Sequence, residues 1–128
     1  MDIESLYTLG DHEDGAEMQV INPVTGEETQ AFITLKGMDS LAHREAMSLS
    51  KTLSLGLKQK SKEALEKRKI EIRSEALAKC TVSWRGFSSK GEELVFSQEK
   101  AKELYYNSQG IADQVDNFMV QRANFTKG

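Results

Sequence analysis

The side chains with the clearest potential for chemistry are two histidines and one cysteine in a chain of 128 residues. His12 lies in Asp11-His12-Glu13-Asp14, where imidazole and carboxylate groups are of the types that bind divalent cations. Consecutive residues of a helix or strand point in different directions, however, so this run favours a flexible acidic loop over a defined metal site. We therefore expect neither a bound metal nor a cofactor.

The other candidate residues do not form a catalytic arrangement that the sequence reveals. His43 is followed two residues later by Glu45, a spacing that does not place two side chains together on a helix. HExxH, CxxC, GxSxG and P-loop patterns are absent from the sequence. Cys80 has no nucleophile signature near it, which indicates a buried or half-buried thiol. We predict that the protein is not an enzyme.

Composition indicates one globular domain. Hydrophobic residues make up 38% of the chain and charged residues 29%, a mixture that can form a core over this length. A single cysteine excludes an intramolecular disulfide and a metal site built from several cysteines. The sequence has no run of about 18 apolar residues and no secretion signal at its start. These features predict a soluble intracellular protein without a membrane segment.

Charge is distributed unevenly along the chain, although the net charge is only −3. Residues 1–35 contain eight acidic side chains and no Lys or Arg. Residues 36–90 contain thirteen basic and six acidic side chains. A basic segment of this kind can bind nucleic acid, so a small nucleic-acid-binding regulator is one alternative for the function.

The densest part of the basic segment, residues 58–73, argues against that alternative. Glu63, Glu66 and Glu71 alternate with its basic residues at spacings typical of a solvated helix face with side-chain pairing. Only one aromatic residue lies within residues 8–83, so there is no stacking surface for single strands. The pattern favours a solvated helix face, or a polar contact with the acidic first third of the chain.

The first third is predicted to contain a loose arm followed by a β-hairpin. Residues 1–15 are acidic and weakly patterned, which favours an arm without fixed structure. Residues 18–21 and 29–35 are rich in β-forming side chains, and the Pro and Gly of residues 22–27 supply a turn between them. Residues 16–128 are expected to form a single domain.

The middle of the chain has a long, charged and helical pattern. Asp39-Ser40 is placed to cap a helix that begins at Leu41, and apolar residues then recur every three or four positions. A second helical stretch covers roughly residues 61–79. One long helix and two shorter helices both fit this pattern, and Gly, Ser and Lys near residues 54–62 favour a break.

The last third is predicted to contain a short strand around Trp84 and two helices. Residues 80–84 are β-branched and aromatic, and Ser97 is placed to cap the first helix. The last helix has the clearest apolar stripe, which consists of Ile111, Val115, Phe118 and Met119, with Arg122 continuing the same face. The expected fold class is therefore α+β and mainly helical.

Several segments of the sequence resemble the tail assembly chaperones of long-tailed, siphophage-type bacteriophages. That family tends to show a segment ending near a tryptophan, a glycine-containing turn, an apolar strand, a capped short helix and a last helix that finishes in an Arg-Ala-Asn-Phe-like sequence. The corresponding segments here are residues 81–87, 93–97, 101–105, 111–118 and 122–125. The hairpin carrying Thr25-Gly26-Glu27 is also similar to the first third of the family.

The resemblance implies a non-catalytic protein that binds the tape measure protein and helps recruit tail tube subunits in the host cell cytoplasm. It also implies absence from the mature virion and, as in many members, a longer frameshifted form of the chain as a further partner. We assign client contact to Trp84, Phe118, Met119 and Phe125, and we expect Phe125 to be the most exposed of these. The alternative within the same particle is a structural head–tail or tail-tube-associated virion protein.

Overall fold

The protein has an α+β fold in which helices predominate, as the sequence predicts. The computed structural model describes residues 1–55 and 61–126. The helices of this part are α1 (Leu9–Asp14), α2 (Leu41–Ser54), α3 (Lys62–Lys79), α4 (Gln98–Asn107) and α5 (Gln109–Met119). Its strands are β1 (Ala16–Ile21), β2 (Glu28–Leu35), β3 (Thr81–Arg85), β4 (Ser88–Ser89) and β5 (Glu92–Glu93). None of the helices described is both long and apolar enough to cross a lipid bilayer.

The predicted β-hairpin is confirmed, and it forms part of a three-stranded antiparallel sheet in the order β1-β2-β3. Ile33 of β2 lies opposite Met18 on one side and Trp84 on the other. The turn between β1 and β2 is stabilised by the Asn22 side-chain oxygen, which accepts the backbone N–H groups of the residues two and three positions later. Gly26 completes the turn with a positive φ of 77°.

Each of the four longer helices begins after a serine whose hydroxyl oxygen accepts a backbone N–H from the first turn. These serines are Ser40 for α2, Ser61 for α3, Ser97 for α4 and Ser108 for α5. The predicted helix starts at Leu41 and after Ser97 are therefore confirmed. Ser108 also ends α4, so α4 and α5 follow one another with a single residue between them.

Helices α2 and α3 pack side by side as two separate elements. Met47 of α2 lines the same cleft as Ala76 of α3. A single straight helix would place these two residues about 43 Å apart, at roughly 1.5 Å per residue. Two helices are thus the correct alternative. Within the predicted break at residues 54–62, residues 56–60 lie outside the described residues.

The core lies between one face of the three-stranded sheet and helices α3, α4 and α5. Its fully buried side chains include Ile33 from β2, Tyr105 from α4, and Val115 and Met119 from α5. The Tyr105 hydroxyl lies 2.7 Å from the Thr81 hydroxyl, so the two buried polar groups satisfy each other. The apolar stripe of the last helix faces this core, as the sequence predicts.

The N-terminal segment is more ordered than expected. His12 of α1 is buried, and the helix is held to the domain because Glu13 accepts the backbone N–H of Leu41 and pairs with Lys36 at 3.5 Å. The prediction of a loose arm over residues 1–15 is therefore wrong from Leu9 onwards. Glu13 binds groups around the start of α2 that are distant in sequence, which no local pattern reveals. The first seven residues are exposed.

Two expectations for the last third are also wrong. The resemblance implies an apolar strand at residues 93–97, but β5 ends at Glu93 and residues 94–97 adopt no regular structure. The Leu94 carbonyl instead accepts the indole N–H of Trp84 at 2.9 Å. Arg122 does not continue the apolar face of α5. That helix ends at Met119, and residues Arg122–Phe125 form a separate 3₁₀ turn.

Candidate functional site

Asp39 joins three parts of the chain that are distant in sequence. Its carboxylate accepts two hydrogen bonds from the guanidinium of Arg122, each at 2.9 Å, and one from the hydroxyl of Thr8 at 2.6 Å. The hydrogen bonds from Arg122, and then that from Thr8, hold the pKa of Asp39 well below its usual range, because they stabilise the charged carboxylate. The two-point contact with Arg122 fixes the C-terminal 3₁₀ turn against the start of α2.

His12 lies beside this carboxylate. Its Nδ1 accepts the backbone N–H of Asp39 at 3.0 Å, so the proton of the neutral ring belongs on Nε2. Nε2 lies 3.6 Å from Oδ2 of Asp39 and has no hydrogen-bond partner within the part of the chain that the structure describes. The ring also packs on Phe125, with centroids 4.8 Å apart. The two ends of the chain therefore meet at Asp39 and His12.

Exposed apolar side chains lie on all three segments that meet at Asp39. Leu9 from α1, Leu41 from the start of α2 and Val120 from the end of α5 are 48%, 54% and 49% exposed. Each lies within two residues of Asp39 or of one of its two side-chain hydrogen-bond partners. We call these three side chains the Asp39 surface. Large apolar side chains exposed near one another are typical of a protein-binding surface.

A second set of exposed apolar side chains lies at the N-terminus. Ile3 and Leu6, in the 3₁₀ turn Ile3–Leu6, are 63% and 60% exposed, and no residue of this turn is buried. Residues three apart in a 3₁₀ turn eclipse one another, so Ile3 and Leu6 lie on the same side. Asp2 and Glu4 lie next to them and are exposed. We call these four residues the N-terminal turn, a segment that is both apolar and acidic.

The cleft between α2 and α3 has an apolar floor, and its charged lining residues are two basic side chains, Lys69 and Arg73, and one acidic side chain, Asp116. Ile72, Ala76 and Leu77 of α3 form its floor, the exposed Met47 of α2 lies at its side, and its volume is about 150 Å³. Lys69 lines the cleft. We call it the α2–α3 cleft.

Further basic side chains extend along both helices of the cleft. Lys51 lies four residues after Met47, and Lys62 lies seven residues before Lys69, so each shares a helix face with a residue of the cleft. Lys69 makes a long contact of 3.6 Å with the exposed Glu66. Arg73 differs, because Asp113 and Asp116 of α5 compensate its charge at 2.6 and 3.3 Å.

Three of the four side chains assigned to client contact lie together at the end of α5. Met119 and Phe125 are buried, and Phe118 is half-buried. The expectation that Phe125 is the most exposed is wrong, because the 3₁₀ turn folds its ring back against His12 and Phe118. The ring centroid of Phe125 lies 4.8 Å from that of His12 and 5.4 Å from that of Phe118.

Trp84 belongs to a different aromatic group. It is half-buried and makes edge-on contacts with Phe87 and Phe96, whose ring centroids lie 5.0 and 5.2 Å away. Its indole N–H donates to the backbone carbonyl of Leu94. These contacts hold the irregular segment after β5 against the sheet. The side chain therefore has a structural role in this conformation, and client contact at Trp84 stays a prediction.

Cys80 and His12 are two of the residues singled out for possible chemistry, and both are buried. Burial raises the pKa of Cys80 to about 12, so its sulfur is a neutral thiol near neutral pH. Within the described residues, no three or more His, Cys, Asp or Glu side chains are placed to hold one metal ion. His12 uses one ring nitrogen for a backbone hydrogen bond and is covered by Phe125.

Comparison with known proteins identifies no relative. The chain matches no protein-family model, and no curated protein or solved structure is significantly similar to it. The surfaces of the chain itself, and the resemblance of its sequence to tail assembly chaperones, are the basis for a functional proposal.

The Asp39 junction could not be found by reasoning from the sequence. The local sequence predicts a helix cap at Asp39, a helix face at Arg122 and a flexible loop at His12. The Asp39–Arg122 contact joins residues 83 positions apart, and neither residue lies in a motif that would indicate the other.

Proposed function

We propose that the protein is a non-catalytic tail assembly chaperone of a long-tailed bacteriophage, which binds the tape measure protein and helps recruit tail tube subunits in the host cell cytoplasm. The observation that supports this most is the Asp39 surface, where each of the three chain segments that meet at Asp39 carries a half-exposed aliphatic side chain. The choice of a chaperone among binding proteins comes from the sequence resemblance.

The chemistry of the Asp39 surface suits temporary binding. A tape measure protein is a long helical chain whose apolar stripe would aggregate if it were left exposed, and an unassembled tube subunit has similar surfaces. Leu9, Leu41 and Val120 can cover such a stripe by burying aliphatic side chains, each contributing about 1–2 kcal/mol or less. A contact of this size protects the client and can still be displaced when the tail assembles.

Co-expression with the tape measure protein of the same phage tests the proposal. We expect the wild-type chain to increase the soluble fraction of the tape measure protein, and the double variant Leu41→Asp/Val120→Asp to lose most of this effect. Val24→Asp is the matched control, because Val24 is exposed in the hairpin turn, away from the Asp39 surface. A tape measure protein that is equally soluble with and without the wild-type chain would contradict the proposal.

Mass spectrometry of purified virions separates the chaperone from the structural alternative. A chaperone is released during assembly, so we expect its peptides to be missing from finished particles. Peptides present in a fixed ratio to the tail tube protein would instead support a head–tail or tube-associated component.

A further inference from the structure

We infer that the N-terminal turn of one copy of the protein binds the α2–α3 cleft of another copy. Both surfaces belong to this chain, so the inference does not depend on the chaperone proposal. One copy supplies the exposed turn and the next supplies the cleft, which makes the contact heterologous.

The apolar parts of the two surfaces are complementary. Ile3 and Leu6 form a ridge on one side of the 3₁₀ turn and are not covered by any part of their own copy that the structure describes. The cleft offers a floor of buried aliphatic side chains and a volume of about 150 Å³, enough for a branched aliphatic side chain. Met47, which is exposed at its side, has a flexible side chain that can adjust to the ligand.

The charges of the two surfaces are also complementary. The turn carries Asp2 and Glu4, and residues 1–35 contain no Lys or Arg that would oppose them. Lys69, Arg73 and Asp116 line the cleft, and Lys51 and Lys62 lie along its two helices, so four of these five charged side chains are basic. Opposite charges around an apolar contact accelerate the encounter and fix its orientation, while they disfavour basic ligands.

The turn does not occupy the cleft of its own copy. Thr8 is bonded to Asp39 at the start of α2, which holds the preceding residues near that end of the helix. In this arrangement every residue of the turn is exposed, including both aliphatic side chains. The turn therefore leaves the cleft of its own copy available to the turn of a second copy. A contact of two aliphatic side chains and a few ion pairs is small, so we expect a dissociation constant in the micromolar range or weaker.

Two single substitutions and their mixture test this contact. Sedimentation velocity of the wild-type protein over a concentration series should give a mass that rises above the monomer. Leu6→Asp damages only the turn and Met47→Asp damages only the cleft, so each should raise the dissociation constant about tenfold or more. In an equimolar mixture, the Met47→Asp chain supplies an intact turn and the Leu6→Asp chain supplies an intact cleft. The two variants should therefore form a one-to-one pair.

A charge exchange provides the second test. Lys62→Glu/Lys69→Glu should weaken self-association, and adding Asp2→Lys/Glu4→Lys to the same chain should restore it. Val24→Asp is the control for added negative charge and should associate as the wild type does. Circular dichroism shows whether each variant is folded. A wild-type protein that is monomeric at every concentration, or a Leu6→Asp and Met47→Asp mixture that forms no pair, would overturn the inference.

Discussion

At the scale of single residues, Asp39 couples protonation to folding. Arg122 and Thr8 lower its pKa in the folded protein, whereas the unfolded chain leaves it near the usual value of about 3.9. As the pH falls, the unfolded state binds the proton first. The stabilisation is therefore complete at neutral pH and is lost progressively below about pH 4.

We expect Asp39→Asn to lower the free energy of unfolding by about 1–2 kcal/mol at neutral pH, because Arg122 loses its charged partner at a site open to solvent. At about pH 3 the difference in unfolding free energy between the variant and the wild type should be smaller. At that pH the charged carboxylate of Asp39 contributes less to the stability of the wild-type protein. Urea unfolding at both pH values measures the difference. An equal difference in unfolding free energy at the two pH values would show that the charge of Asp39 does not stabilise the fold.

Gly37 is a residue whose missing side chain makes room for His12. A Cβ atom at this position would lie 2.0 Å from Nδ1 of the buried imidazole. We expect Gly37→Ala to destabilise the protein by about 1–3 kcal/mol, because the covered ring has little space to move. Gly10→Ala is the control, since a Cβ there meets nothing within 4 Å. Thermal unfolding of the two variants should differ clearly, and similar melting temperatures would contradict the packing described.

At the scale of elements, α5 shows how burial divides a single apolar stripe. Met119 faces the core, whereas Phe118 lies at its margin and is half-buried. We expect Met119→Ala to cost about 2–5 kcal/mol, and Phe118→Ala to cost less than the roughly 3–5 kcal/mol of a fully buried Phe. Chemical denaturation of both variants measures this. An unchanged stability for Phe118→Ala would indicate that its ring is available to a partner.

Helix α3 carries six of the thirteen basic side chains in residues 36–90, the segment that raised the question of nucleic acid. Arg68 pairs with Glu71 at 2.9 Å, and Arg73 is held by two aspartates of α5. We therefore expect no submicromolar binding of duplex DNA at physiological salt, measured by fluorescence anisotropy. Tight binding that disappears on charge reversal of residues 67–69 would contradict this. Lys58 and Lys60 of the same basic segment lie outside the described residues.

The elements that the sequence predicted well are those with local causes. Ser40 and Ser97 cap helices because their hydroxyl groups bind backbone groups three residues later, and the hairpin turn depends on residues inside the turn itself. The burial of Phe125 and His12 has no local cause. Each ring is covered by the other end of the chain, so a pattern of neighbouring residues could not reveal it. The expectation that Phe125 is exposed is wrong for the same reason.

At the scale of the whole molecule, the N-terminal and C-terminal segments stabilise each other. Phe125 packs on His12 of α1 and on Phe118 of α5, while the Arg122–Asp39 pair holds the same 3₁₀ turn to α2. Helix α1 has only six residues, too few to be stable alone, so its order depends on these contacts. The position of the N-terminal turn and of Leu9 in the Asp39 surface therefore depends on the C-terminal turn.

Phe125→Ala tests this dependence. Removal of the Phe125 ring should lower the free energy of unfolding by about 3–5 kcal/mol, because it leaves a cavity between α1 and the end of α5. Hydrogen exchange should also become faster in residues 9–15 than in the β1–β2 hairpin, since α1 loses a packing partner while the sheet keeps its own. Val120→Ala is the control, because Val120 is half-exposed and close to the same turn. Equal acceleration across the chain would mean that the domain opens as one unit and that α1 is not held specifically by Phe125. Unchanged exchange in residues 9–15 would mean that Asp39 and Glu13 suffice to hold the helix.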